Sequence, residues 1–214
     1  MKYKNIEIKW LGHSGFLLKG NGQNIYIDPF KLNSYEKADI ILITHGHYDH
    51  FSVEDLRKII KPGAKFIGPA DILSQTRPIG AVNFEIAEPG KKIDYNGINI
   101  DCVHAYNINK SFHKKEEAWV GYIIKINGVR VYHAGDSDLI PEMKNIKADV
   151  ALLPVSGKYV MTSEEASRAA EIIKPELAVP MHWGSVIGEK SDADNFVKLC
   201  KEKGINAMVL EKGA

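Results

Sequence analysis

The sequence predicts a layered α/β fold in which two β-sheets pack face to face and helices cover their outer sides. Two observations lead there. Runs of alternating or continuous apolar residues fill the first third of the chain and the stretch from Val82 to Val131, and helical periodicity follows each strand-rich region. Asn96-Gly97 and Asn127-Gly128 stand between apolar runs, the strongest short-range hairpin signal. A sheet with one apolar face must be covered, and two sheets finished by helices bury both within one unit. Residues 1–214 therefore read as a single domain.

The elements follow in order. Ile6, Ile8 and Trp10 alternate with Glu7 and Lys9, a period of two. Phe16–Leu18 and Ile25–Ile27 are strands separated by the turn Gly20-Asn-Gly22, and Asp28-Pro29 ends the run. Asp39–Ile43 is a short apolar strand suited to a deep position in a sheet. Ser52 caps a helix whose apolar face is Val53, Leu56, Ile59 and Ile60, stopped by Lys61-Pro-Gly63. A short helix starts near Pro69. Strands then occupy Val82 to Val131, with a further turn at Pro89-Gly90. In the last third, Asp149–Leu153 is a strand, Thr162-Ser-Glu-Glu165 is a capping box opening a helix, and Leu177–Val179 is a strand. Asp192–Lys203 is a helix ending at Gly204, and Ala207–Leu210 a closing strand.

Composition narrows the function. Lys and Arg number 28 against 27 Asp and Glu, a net charge of +1, which argues against a nucleic-acid binder. Arg57, Arg77, Arg130 and Arg168 are too scattered for an arginine clamp on phosphates. Cys102 and Cys200 are too few for a disulfide scaffold and read as reduced core thiols. No apolar run has signal-peptide or membrane-spanning length, so the expectation is a cytoplasmic protein that does not enter a membrane.

The chemistry concentrates in Thr44-His45-Gly46-His47-Tyr48-Asp49-His50, between an apolar strand and a capped helix. Residues two apart on a strand end point the same way, so His45 and His47 converge, and Gly46 clears space between them. The turn into the helix aims Asp49 and His50 at a neighbouring point. Neutral imidazoles and a carboxylate are the ordinary ligands of Zn²⁺. Two further candidates follow other strands: Asp136 in Tyr132-His-Ala-Gly-Asp136 and His182 in Pro180-Met-His-Trp-Gly184. Alone, Asp136 reads as a turn aspartate and His182 as a packed histidine; a metal cluster gives both a partner. His133 has the opposite strand parity to Asp136, so it reads as a supporting or packing residue.

These motifs resemble the metal-binding motifs of the metallo-β-lactamase superfamily: His45-x-His47-x-Asp49-His50, Gly135-Asp136 and His182, together with Leu11-Gly-His-Ser-Gly15 and Ile27-Asp28-Pro29. Within it they are most similar to the metal-dependent hydrolases related to L-ascorbate-6-phosphate lactonases. The resemblance implies a four-layer αββα sandwich of two mixed sheets, with metals at the sheet rim. It implies one ion on His45 and His47, a second on Asp49, His50 and His182, Asp136 bridging, and Asp28 orienting a ligand or loop. The family's third histidine for the first ion falls here on Asn107, in His104-Ala105-Tyr106-Asn107. Three resolutions stay open: His113 folds back to supply the nitrogen, which we favour; His104 does so; or the protein works with one metal. Phe51-Ser52 after His50 departs from the antibiotic-hydrolysing members, and His47 stands where redox members carry Glu.

The expected function is metal-dependent hydrolysis. Two divalent ions, Zn²⁺ first with Mn²⁺ or Fe²⁺ as alternatives, hold a bridging hydroxide that attacks an ester, lactone or phosphoester, with Asp49 or Asp136 as the catalytic carboxylate. The expected substrate is a small anionic molecule, drawn by Lys110, Lys114 and Lys115, with Lys158 and Thr162 as further candidates at the same mouth and Tyr106, Phe112, Trp119 and Trp183 as candidate pocket walls. The alternative is a non-catalytic metal-binding module or sensor on the same fold. Homo-oligomerisation is compatible with either reading.

Overall fold

The computed structural model describes residues 1–213. Its first sheet runs in chain order: β1 (Lys2–Tyr3), β2 (Ile6–Gly12), β3 (Gly15–Gly20), β4 (Gln23–Ile27), β5 (Ile40–Leu42), β6 (Lys65–Gly68) and β7 (Asn83–Ile86). Strands β1 to β4 pair antiparallel and β4 to β7 parallel. Parallel neighbours need crossovers. Helix α1 (Val53–Ile59) supplies one and α2 (Leu73–Thr76) the next. The second sheet holds β8 (Lys92–Tyr95), β9 (Ile98–His104), β10 (Val120–Ile126), β11 (Val129–His133), β12 (Val150–Pro154) and β13 (Leu177–Met181). Here β8 to β11 are antiparallel and β11 to β13 parallel. Helix α3 (Ser163–Ile173) links the last two strands and α4 (Lys190–Glu202) follows. Each half is thus an antiparallel meander continued by parallel strands.

Local chemistry explains the boundaries. In the β8–β9 and β10–β11 turns both central residues are left-handed: Asn96 and Gly97 at φ 51° and 78°, Asn127 and Gly128 at 50° and 82°. That is the backbone whose twist matches a tight hairpin. Ser52 accepts a hydrogen bond from the Asp55 amide and starts α1, and Thr162 and Glu165 close a reciprocal capping box at α3.

Alternation sorts the side chains. Phe16, Leu18, Ile25, Ile27, Ile40 and Leu42 from the first sheet meet Ile100, Cys102, Tyr122, Ile124 and Val131 from the second, all buried in one core. The opposite face of the first sheet presents Leu17, Tyr26, Ile41 and Phe66 to Leu56, Ile59 and Ile72 on the covering helices. Each such side chain contributes on the order of 1.5–3 kcal/mol. Burial pushes the Cys102 and Cys200 thiols up to about 12, so both are unreactive packing groups.

The closing segment departs from the expected strand. Around Ala207 it makes a single bridge to Ala178, with hydrogen bonds from Ala178 N to Asn206 O (2.9 Å) and from Met208 N to Ala178 O (3.1 Å). It then leaves β13 and bridges Trp10 at Lys212. Pairing further with β13 would prevent that link between the two sheets. Among the described residues no helix is long and apolar enough to cross a membrane.

Candidate metal centre

The parallel strands deliver the functional side chains. Asp28 follows β4, His45 follows β5, Asp136 follows β11 and His182 follows β13. All are placed beyond strand carboxyl ends, where open α/β sheets form their crevices. The β2–β3 turn adds His13.

Three imidazoles form one group. His47 Nδ1 lies 3.1 Å from His45 Nε2 and 3.1 Å from His113 Nε2. Thr44 fixes the His45 tautomer. Its hydroxyl donates to Asp28 Oδ2 (2.6 Å), so at 2.9 Å from His45 Nδ1 it accepts, and His45 Nε2 keeps its lone pair. Trp119 lies against His45, with ring centroids 4.8 Å apart, and its Nε1 donates to Asp71 (2.9 Å). Gly46 serves packing: a Cβ there would stand 3.0 Å from Ile72.

The three residues considered for the third ligand have different fates. His113 enters the group. His104 stays in β9, its ring beside Tyr106. Asn107 is spent on the loop: its amide donates to Tyr159 O (2.7 Å) and Phe112 O (3.3 Å), and its backbone N donates to His113 O (2.7 Å). It holds His113 in place.

A second group gathers His13, Asp49, His50 and His182, all buried. His50 Nδ1 donates to Asp28 Oδ2 (2.7 Å), leaving Nε2 for the centre. Asp28 also accepts from the Thr44 amide (2.8 Å), so one buried carboxylate positions His45 and His50 together. His182 Nδ1 is engaged by the Ser156 hydroxyl (2.8 Å), and its Nε2 faces Asp136 Oδ2 at 3.1 Å. Asp136 lies between the groups. Its Oδ1 is 3.2 Å from His50 Nε2, and its Oδ2 is 3.9 Å from His45 Nε2 and 3.8 Å from His113 Nε2. Gly135, at φ 62°, makes the turn that puts it there; a Cβ would meet Val120 O at 3.0 Å. His133 stays outside the cluster. It donates to Ser14 O (2.9 Å) and accepts from the Gly135 amide (3.2 Å), supporting that turn.

Electrostatics match the demands of a cation. Burial pushes His45 well below the usual histidine range and His113 down to about 4, so both are neutral donors near neutral pH. Burial also disfavours charge on Asp136, but His182 and His50 overrule it and hold it ionised. His50 goes the other way: Asp136 and Asp28 overcome burial and raise its proton affinity. Despite their 3.2 Å approach, His50 Nε2 and Asp136 Oδ1 lack hydrogen-bond alignment, and both are buried without a partner. Two buried polar atoms without partners at a common point are costly unless a cation stands between them. The residues fit divalent metal.

His13 has no role in the sequence reading. Its Nε2 bonds Asp49 Oδ2 at 2.9 Å and its ring lies 4.1 Å from that of His182. Its backbone is left-handed, φ 53°, and its carbonyl accepts from His182 N and Trp10 Nε1, both at 2.9 Å. A histidine inside Gly12-His-Ser-Gly15, where the chain reverses at a strand end, was the available signal.

A cavity of about 360 Å³ opens over the cluster, lined by His47, Asp49, His113, Asp136 and His182 together with an apolar rim. None of the lysines expected at this mouth lines it, and three are engaged elsewhere. Lys110 pairs with Asp138, Lys115 bonds Glu142 (2.7 Å), and Lys158 lies over the Tyr159 ring. Thr162 is committed to its helix cap, and Trp183 stacks on Trp10 with centroids 4.5 Å apart.

A family model described as Beta-lactamase superfamily domain matches residues 7–182. The chain belongs to the metallo-β-lactamase superfamily. A UPF0173 metal-dependent hydrolase of Saccharolobus solfataricus is 36% identical, covering 97% of this chain and 97% of that protein. One from Methanopyrus kandleri is 34% identical over 97% and 98%. The solved structure of Igni18, a metallo hydrolase of Ignicoccus hospitalis, superposes with a TM-score of 0.81 at 29% identity, covering 98% of this chain and 96% of that one. These likenesses place the chain among the superfamily's metal-dependent hydrolases and agree with the two mixed sheets flanked by helices.

Proposed function

We propose that this chain is a binuclear metal hydrolase acting on a small-molecule ester-type bond. The observation that supports it most is the position of Asp136, whose carboxylate lies 3.2 and 3.1 Å from His50 and His182 of one group and 3.9 and 3.8 Å from His45 and His113 of the other. One ion would be held by His45, His47 and His113, the other by Asp49, His50 and His182, with Asp136 shared. Imidazole and carboxylate donors suit Zn²⁺, Mn²⁺ and Fe²⁺, with Zn²⁺ first. Divalent ions held by these residues would supply Lewis-acid polarisation of the scissile bond and a lowered pKa for bound water.

The chain's own residues do the rest. Asp28 and Thr44 orient His45 and His50 so that their free nitrogens point inward. Asp49, at the cavity wall, accepts from His13 and is the carboxylate placed to take a proton from water and return it to the leaving group. Phe112, Tyr159 and Val186 crowd the opening and limit bulk water around the reacting groups.

The test is metal analysis of protein purified without added metal, followed by chelation and reloading. The expected result is close to two divalent ions per chain and ester hydrolysis that disappears with chelator and returns with Zn²⁺ or Mn²⁺. Protein that binds no divalent ion sinks the reading.

A further inference from the structure

We infer that the substrate is a neutral carboxylic ester or lactone with an apolar acyl portion, bound with that portion against Tyr48, Phe112, Tyr159, Val186 and Ile187; this rests on the hydrolase reading above. The cavity divides by chemistry. Its polar lining consists of the proposed metal ligands, and the remainder is these five side chains. Among the lining residues there is no lysine or arginine. Lys110, Lys115 and Lys158 are engaged with Asp138, with Glu142 and with the Tyr159 ring, and Lys114 is outside the lining.

Apolar side chains of this size usually have a reason to stand in water when they gather at one opening. Tyr48 is 67% exposed and Val186 39%, and both border this mouth. Phe112 and Tyr159 meet edge to face with centroids 4.9 Å apart, a preformed aromatic wall. Tyr48 is braced the same way by Phe30 at 6.0 Å. A phosphate or carboxylate group resting on this wall would lose its hydration with no lysine or arginine in the lining to balance its charge. An aliphatic or aryl group would lose only unfavourable hydration, and the volume suits a small molecule. The carbonyl then faces the polar end of the cavity. In the reaction the water oxygen bonds to the carbonyl carbon and the bond from that carbon to the leaving oxygen breaks. One water proton passes to the departing alcohol, and the acid retains the other until it ionises.

The experiment uses the metal-loaded full chain with p-nitrophenyl acetate, butyrate and hexanoate, and with bis(p-nitrophenyl) phosphate, metal content being measured on the same samples. Each methylene that leaves water on the wall gives up to about fourfold. The expected kcat/KM therefore rises about two- to fourfold per methylene, mainly through KM, and exceeds that for the diester. Phe112→Ser and Val186→Ser flatten this slope with metal content unchanged. Turnover of the diester in preference to the esters, or a flat slope in the natural chain, overturns the inference and leaves the hydrolase reading intact. A metal-loaded chain that hydrolyses none of these compounds removes both. If the serine variants fail to fold, the slope in the natural chain still decides.

Discussion

The two sides of the proposed centre are built from different materials. Apart from the shared Asp136, one side offers imidazoles alone, His45, His47 and His113, and His47 stands exposed at the mouth. On the other, Asp49, His50, His182 and His13 are all buried, and a carboxylate accompanies the imidazoles. Neutral donors leave a bound dication with its charge undiminished; carboxylates offset it and attract it more strongly. The contrast teaches how one rim can divide labour. On the proposed assignment the imidazole side would hold the less neutralised ion, suited to polarising a substrate, and the carboxylate side would provide the tighter hold and the proton-handling group.

Asp136 belongs to both sides, so removing it has the largest expected effect. Asp136→Ala should bring metal content below one ion per chain. The loss in kcat/KM should exceed the roughly 10²–10³-fold typical of deleting one electrostatic contact. His113→Ala touches the imidazole side alone and should remove one ion while the other stays. Metal stoichiometry and kinetics on the two variants break the comparison if both lose the same number of ions.

Much of this was legible in the sequence, for identifiable reasons. The antiparallel strands follow from period-two alternation and the central parallel ones from short continuous apolar runs, and the Asn-Gly turns impose their own geometry. The segment around Ala207 has the same apolar look, but a distant partner, Trp10, decides its path. Within the site, His45 to His50 are adjacent in the chain, so spacing alone brings them together. His113 depends on an Asn107 amide that reaches Tyr159 O, a contact between residues far apart in sequence. His13 is harder still, because its significance comes from a left-handed turn and an aspartate 36 residues away. Such links are made by tertiary structure, and local pattern does not encode them.

The two sides should also part on acidification. Burial holds His45 well below the ordinary histidine range and His113 at about 4, so mild acid finds little on either to protonate. His50 is the reverse, because Asp136 and Asp28 outweigh burial and raise its proton affinity. A metal there must displace a proton, and lowering pH strengthens that competitor. From about pH 7 toward about pH 5 the carboxylate side should therefore release its ion first, with the imidazole side following nearer the pH at which His113 titrates. Metal retained after equilibration across this range should fall in two steps in the natural chain and in one, the earlier, in His113→Ala. A two-step loss in that variant would contradict the assignment of sides.

The smallest expected effect tests whether His13 serves the carboxylate side. Burial works against charge on Asp49, but the His13 hydrogen bond prevails and holds the carboxyl down at about 2. It also fixes which way Asp49 Oδ2 points. His13→Leu keeps bulk in the turn and removes the donor; His13→Gln retains an N–H able to reach Asp49. Losing a group that orients a metal ligand typically costs about 10–100-fold in metal affinity. The leucine variant should show that weakening for one ion only, recover activity when metal is supplied in excess, and leave the affinity of the imidazole side unchanged. The glutamine variant should fall between it and the natural chain. A structural role confined to the turn would instead lower thermal stability in both variants and leave the metal dissociation constants alone, so titration with Zn²⁺ separates the two.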